Sequence, residues 1–189
     1  NEPAPPAAEH GSGDPHPKYL GQEMALGEFR FVSDLSRPGM ACGALRFADH
    51  PRARVVRLNT RKAQAAPGVV RVFTAADVPG ERFTGQVTND WPLMIAVGET
   101  TRTVADVLCA VAAETEDQAR AATALVEVEY EVLPPLLDVH QAEDSPIRVH
   151  PDRGNLLETT VYRRGGDVKA LLAESAHVAR GTFQTQRIE

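Results

Sequence analysis

A chain of 189 residues that is 42% hydrophobic and 24% charged can form one ordinary core or two small ones, with the balance of a globular protein. A net charge of -6, without any alternation of basic and aromatic residues, argues against nucleic acid as the main partner. No apolar run approaches the roughly 20 residues that span a bilayer, and the N-terminus lacks the basic-then-apolar order of a secretory signal, so the expected location is cytoplasmic with no membrane partner.

Residues 1–19 carry prolines at positions 3, 5, 6, 15 and 17 beside Gly11, Ser12 and Gly13, the composition of a flexible linker or tail. His10 and His16 lie within it and read as solvated side chains, since no cysteine or carboxylate accompanies them. A chain that opens at Asn1 with such a stretch is expected to be cut from a longer protein. Phe29 and Phe31 alternate with polar neighbours and predict a short strand over 27–34, and Arg37-Pro38-Gly39 predicts a turn. Apolar segments at 40–47 and 55–58 predict a hairpin closed by a longer loop that holds His50 beside Asp49. Without a nucleophile nearby, His50 is assigned to stabilising that turn rather than to base catalysis.

Asn59 or Thr60 is placed to cap a short helix through Ala66, which Pro67-Gly68 stops, and residues 69–73 read as a strand. Thr74 with Asp77 forms a capping box for one helical turn, ended by Pro79-Gly80. Residues 81–92 have no period and hold the only tryptophan, Trp91, as a surface or binding loop would. The run 104–113 is apolar at nearly every position and predicts a central strand covered on both faces. Thr115 and Gln118 form a second capping box, and Ala119, Ala122 and Val126 line one face of the helix that follows. Val126, Val128, Tyr130 and Val132 then alternate with Glu127, Glu129 and Glu131, a half-exposed strand ended by Pro134-Pro135.

Beyond Asp138 lies a connection with His140 and His150, which read as surface residues. A helix is predicted over 168–179 behind Gly165-Gly166-Asp167, with Asp167 as its N-cap in preference to a phosphate cradle. Residues 181–188 read as an alternating strand on which the chain stops, and this looks truncated. Cys42 and Cys109 sit in apolar segments without ligand spacing and are expected to be buried free thiols. No catalytic motif is present, so no catalytic, cofactor-binding or metal-binding residue is assigned. The residues by themselves reach only a soluble α/β (α+β) protein.

Four stretches carry a resemblance: Gly27-Glu-Phe-Arg-Phe-Val-Ser-Asp34; Gly43-Ala-Leu-Arg-Phe47 with Asp49-His-Pro-Arg-Ala53; Ala66-Pro-Gly-Val-Val70 with Phe73-Thr-Ala-Ala-Asp-Val-Pro-Gly80; and Val126-Glu-Val-Glu-Tyr-Glu-Val-Leu-Pro134. In this order and at this spacing the chain resembles the α/β-hammerhead domain of the xanthine dehydrogenase and aldehyde oxidase family. The segment from Gly166 to Gln186 resembles the lead into that family's molybdenum-cofactor domain. The resemblance implies a hammerhead with a mixed sheet built from two strand-helix-strand units. It divides the chain into a linker at 1–19, the hammerhead at 20–140, and a connection with the start of the cofactor domain at 141–189. The parent would be a molybdopterin-dependent oxidoreductase that inserts water-derived oxygen into a purine, another N-heterocycle or an aldehyde. Iron-sulfur clusters and a flavin (FAD) would lie in other domains or subunits, and this segment alone would be inactive. Where family members often carry Val-Gly-Gln or Val-Gly-Asp, this chain has Val104-Ala105-Asp106, so the 98–106 turn is not carried over. The rival expectation is a stand-alone binding module that uses the 81–92 loop.

Overall fold

The computed structural model describes residues 17–86 and 88–186, and the expectations for His10, His16 and most of the 1–19 tail lie outside them. The chain divides into two compact units at Leu133/Pro134.

In the first unit the elements run α1 (Gly21–Leu26), β1 (Cys42–Phe47), β2 (Ala53–Asn59), α2 (Arg61–Gln64), β3 (Val69–Thr74), β4 (Phe83–Thr84), β5 (Trp91–Pro92), β6 (Val107–Ala113), α3 (Glu116–Thr123) and β7 (Glu127–Val132). Strand β6 is central, flanked by β1 and β3, and β2 pairs with β7 in a second sheet. Both sheets are antiparallel throughout. The α+β class is as the sequence suggests, but the strands of each strand-helix-strand unit separate into different sheets instead of sharing one mixed sheet. Both edges of β6 are already taken, so β7 cannot join it. The acidic residues of β7 meet a basic strand elsewhere: Arg54 faces Glu131, and Arg57 faces Glu129.

For the same reason the predicted 40–58 hairpin does not form. Although β1 and β2 are consecutive, β1 pairs with β6 (Ala44 opposite Val111) and β2 with β7. The 98–101 segment covers the other edge of β2, through Val55 N–H to Glu99 O at 2.9 Å and Thr101 N–H to Ala53 O at 2.8 Å.

β6 fills both parts of the core because apolar residues stand at consecutive positions. Cys109 and Val111 join Val72, Ala63, Ala122 and Val126 in one cluster. Leu108 joins Ala48, Val55 and Ile95 in the other, and Leu58 and Val128 border both. The strand starts at Val107 rather than Val104, because residues 104–106 form a turn. Ala105 there has no positive φ, so this turn needs no glycine-only angle. α3 lies close on the sheet through the buried methyls of Ala119 and Ala122, while Leu125 remains exposed.

Its cap is the predicted one. The Gln118 N–H donates to Thr115 Oγ1 at 3.3 Å, and the Thr115 N–H donates to Gln118 Oε1 at 3.1 Å. Asp77 serves the turn after β3 likewise, accepting from the Thr74 N–H at 2.8 Å and the Thr74 hydroxyl at 3.0 Å. Of the two candidate caps for α2, Asn59 supplies the acceptor, for the Arg61 N–H at 3.3 Å.

Residues 27–34 do not form the predicted strand. No second strand lies beside them among the described residues; Asp34 instead accepts from the Phe31 N–H at 2.9 Å and closes a single 3-10 turn, while Phe29 and Phe31 pack edge to face. The turn at Arg37-Pro38-Gly39 is present, closed by the Met40 N–H to Arg37 O bond at 3.0 Å.

The second unit holds α4 (Val139–Ala142) and α5 (Val168–Glu174), with Asp138 and Asp167 as their N-caps. α5 is shorter than the predicted 168–179 helix, since the chain turns extended at Ser175 and the Ser175 hydroxyl bonds back to Leu171 O at 2.7 Å. Residues 181–186 have no ladder, because their alternation finds no partner strand among the described residues. Residues 187–188 of that predicted strand lie outside the described residues.

Candidate functional site

A polar cluster surrounds the β1–β2 loop. The Arg46 guanidinium grips Asp49 with both nitrogens, at 2.9 and 2.6 Å, and also donates to Phe47 O. The Asp49 N–H donates to the Tyr130 hydroxyl at 3.3 Å, and the His50 ring stands edge-on to Tyr130 at 5.1 Å. The Thr101 hydroxyl donates to the His50 carbonyl at 3.0 Å. Arg46 holds the Asp49 carboxyl below the usual range, while burial pushes the Tyr130 phenol up. The cluster ties β1 to β7, with the Asp49 carboxylate and the Tyr130 and Thr101 hydroxyls engaged in these bonds, so it fits a clamp.

The cysteines do not converge. Cys42 stands opposite Ala113 and Cys109 opposite Arg46, far apart along the β1–β6 ladder. Cys109 is fully buried, and burial pushes its thiol up to about 11. Cys42 is only half-buried, which corrects the expectation for that residue: β1 is an edge strand. His140 lies in α4, His150 in a turn, and Asp167 Oδ1 is engaged by the Lys169 N–H at 2.9 Å. Among the described residues no group of three or more His, Cys, Asp or Glu is placed to hold a metal ion.

Sequence reasoning passed over Asp106, a buried carboxylate whose Oδ2 accepts from the Arg102 and Thr103 N–H groups. Its signal was available, as the one acidic residue inside the apolar 104–113 run.

The remaining candidate is a surface. Residues 81–92 are not wholly irregular: β4 and β5 pair Phe83 with Pro92 and Thr84 with Trp91, and the Leu93 N–H donates to Arg82 O at 2.8 Å. Arg82 anchors this small hairpin through a two-pronged ion pair with Glu99 and a bond to Met94 O at 3.3 Å, its guanidinium 5.2 Å from the Phe83 ring centre. Glu99 also accepts from the Ala96 N–H at 2.8 Å, and the hydrogen bonds from Arg82 hold its carboxyl below the usual range. The hairpin leaves Trp91 38% exposed, with Phe83 and Leu93 also at the surface. Aromatic and aliphatic side chains on a pinned hairpin suit adhesion to another surface, not bond-making.

Comparison with known proteins places this architecture. The family model for the aldehyde oxidase and xanthine dehydrogenase a/b hammerhead domain matches residues 26–134. A probable xanthine dehydrogenase subunit of Bacillus subtilis (strain 168) is 36% identical over 168 residues, 88% of this chain and 22% of that protein. The nicotinate dehydrogenase large molybdopterin subunit of Eubacterium barkeri is 30% identical over 88% of this chain and 38% of its own length. Among solved structures, quinoline 2-oxidoreductase from Pseudomonas putida 86 superimposes with a TM-score of 0.70 at 32% identity, covering 85% of this chain and 21% of that one. The chain thus spans between about a fifth and two fifths of these relatives. By its match over 26–134 and its paired antiparallel sheets, the chain belongs to the α/β-hammerhead domain family of the aldehyde oxidases and xanthine dehydrogenases, among the molybdenum hydroxylases.

Proposed function

We propose that this chain is the hammerhead domain of a molybdopterin-dependent oxidoreductase that hydroxylates a purine, another N-heterocycle or an aldehyde, in which it packs against other domains and performs no chemistry itself. The observation that carries this reading is the family match over 26–134, which contains both buried apolar clusters. In this reading the molybdenum group that supplies oxygen insertion, and any iron-sulfur clusters and flavin, belong to other parts of the parent or to other subunits; among the described residues no group of three or more His, Cys, Asp or Glu is placed to hold a metal ion. The proposed division is a linker at 1–19, the hammerhead at 20–140 and the start of the cofactor domain from 141, in a cytoplasmic enzyme. The pinned 81–92 hairpin faces the cofactor domain of the same polypeptide.

The test is to purify both this chain and the full-length parent. Stoichiometric molybdenum and hydroxylation of an N-heterocycle or aldehyde are expected in the parent, with neither in this chain. A full-length parent without molybdenum, or molybdenum bound to this chain alone, overturns the reading. In the chain alone Trp91 should be reached by a soluble fluorescence quencher and in the parent it should be shielded. A Trp91 already shielded in the chain alone assigns it to this domain's own core and removes the hairpin from the interface.

A further inference from the structure

Two polar side chains lie inside the first unit with almost no exposure, Thr101 at 1% and Asp106 at 2%, at the two ends of one turn. Thr101 is fully employed: its hydroxyl donates to the His50 carbonyl at 3.0 Å and accepts from the Ala53 N–H at 2.9 Å. Asp106 is only half employed. Its Oδ2 accepts from the Arg102 and Thr103 N–H groups, whereas its Oδ1 is also buried and has no hydrogen-bond donor among the described residues. A carboxylate oxygen taken out of water without a donor is among the costliest groups a fold can hold. A donor must therefore stand against Oδ1.

The turn itself does not supply one. The N–H groups of Thr101, Ala105 and Asp106 are engaged by Ala53 O at 2.8 Å, Thr103 Oγ1 at 3.3 Å and Thr103 O at 3.2 Å. Ala48, whose N–H is engaged by Asp106 O at 2.9 Å, belongs with Leu108, Val55 and Ile95 to an apolar cluster that offers no donor. Burial also shuts out bulk solvent and any group from another domain or subunit. A divalent cation is a poor occupant, since calcium and magnesium take about six or more oxygen ligands, and among the described residues no group of three or more His, Cys, Asp or Glu is placed to hold a metal ion. A single water is small enough for an enclosed site and carries two donors. Internal waters typically serve the buried polar groups that a fold leaves unmatched.

We infer that Asp106 Oδ1 is the binding site of one ordered internal water, which donates to the carboxylate and makes solvent a structural part of the 101–106 turn. The turn delivers the chain from the 98–101 segment on the edge of β2 into β6. It is held to the β1–β2 loop by the Ala48 N–H to Asp106 O bond and by the Thr101 hydroxyl to His50 O bond. With Oδ2 fixing the amides of the turn and Oδ1 fixing the water, one carboxylate organises both. The turn then closes without a glycine, and Ala105 keeps a negative φ. The site lies in the interior of the first unit, so it neither uses nor requires the functional reading above.

The test is to locate the water. A crystal structure at a resolution that shows ordered solvent is expected to place one water within about 2.5–3.0 Å of Asp106 Oδ1. A protein donor on Oδ1, a multiply coordinated ion there, or no density within reach overturns the inference. In solution, dipolar cross-peaks are expected between a long-lived water and the Arg102 and Thr103 amides, and their absence overturns it too. Asp106→Leu puts a methyl group in place of Oδ1, so the cross-peaks are expected to be lost while β6 amides keep their slow exchange. Cross-peaks that survive in that folded variant seat the water elsewhere and count against the site. Should Asp106→Leu fail to fold, Asp106→Asn decides. Its oxygen still serves the two amides and its NH2 group donates to the same water, so the cross-peaks are expected to stay; their loss from the folded Asn variant rules the site out.

Discussion

Gln118 couples two features that are 50 residues apart in sequence from Gly68 to Gln118. It completes the Thr115 cap, and its amide occupies the space where a Cβ on Gly68 would stand, at the turn that leads into β3. Gly68 also holds φ at +77°, a conformation that costs an L residue about 1–2 kcal/mol. Thr115→Ala should lower stability by about 1 kcal/mol by removing the Oγ1 acceptor. Gly68→Ala should lower it further, since backbone strain adds to displacement of Gln118. Denaturant midpoints of the two variants check this, and a Gly68→Ala midpoint above that of Thr115→Ala contradicts it. The thiols offer a second test: a maleimide should label Cys42 in the native protein but reach Cys109 only on unfolding, because Cys109 is buried with its thiol pushed up to about 11. Glu99 gives a pH test. Its carboxyl is lowered in the folded state, so the unfolded chain binds more protons in acid; the Arg82–Glu99 contribution is complete above the ordinary carboxylate pKa and fades as pH falls through the lowered folded value. Glu99→Gln should therefore flatten the acid limb of the stability curve, and an unchanged limb would rule that ion pair out as its source.

At the scale of elements, β2 and β7 are held by a ladder of opposite charges, Arg54 to Glu131, Arg57 to Glu129, and Lys62 with Asn59 to Glu127. All these charged groups are about half exposed or more, so each pair is worth under about 1 kcal/mol. Reversal should cost more than deletion, because Arg57→Glu sets like charges opposite each other. Arg57→Glu is expected to melt below Arg57→Ala, with the gap narrowing as salt is raised; a gap insensitive to salt speaks against a charge effect. What could be read from residue order was the existence of β3, β6, β7 and α3 and the two capping boxes, because apolar period and cap chemistry are local. Pairing was not legible. Alternation tells which face of β1 is apolar but not that its neighbour is β6 rather than β2, and that choice is made by strands far along the chain. The Phe29 and Phe31 alternation misled, since it reflects two rings packing on each other. α1 escaped because six residues that open on Gly21 carry little helical signal, and the Arg82–Glu99 anchor because its partners share no periodic element. The 81–92 stretch was legible as a loop, but its two-residue ladder was too short to announce itself.

For the molecule as a whole, the contrast lies between a first unit with two adjoining apolar clusters and a second stretch whose order is polar and local. Heating this chain should give one cooperative transition from the first unit, with the 134–186 stretch contributing little heat. A second transition of comparable enthalpy would show a core there. The strand pairing also bears on how the domain comes to be folded. Arg54 and Glu131 are 77 residues apart, and Asn59 and Glu127 are 68 apart, while β6 receives one neighbour from each side of β2 in the sequence, β1 and β3. Neither sheet can close until nearly the whole first unit has been synthesised. The N-terminal strands therefore wait as unpaired edges, and folding is set by slow long-range loop closure rather than by growth from a local hairpin. A ribosome paused anywhere before β7 would hold a nascent chain with β2 unmatched, exposed to chaperones and to misassociation with its neighbours.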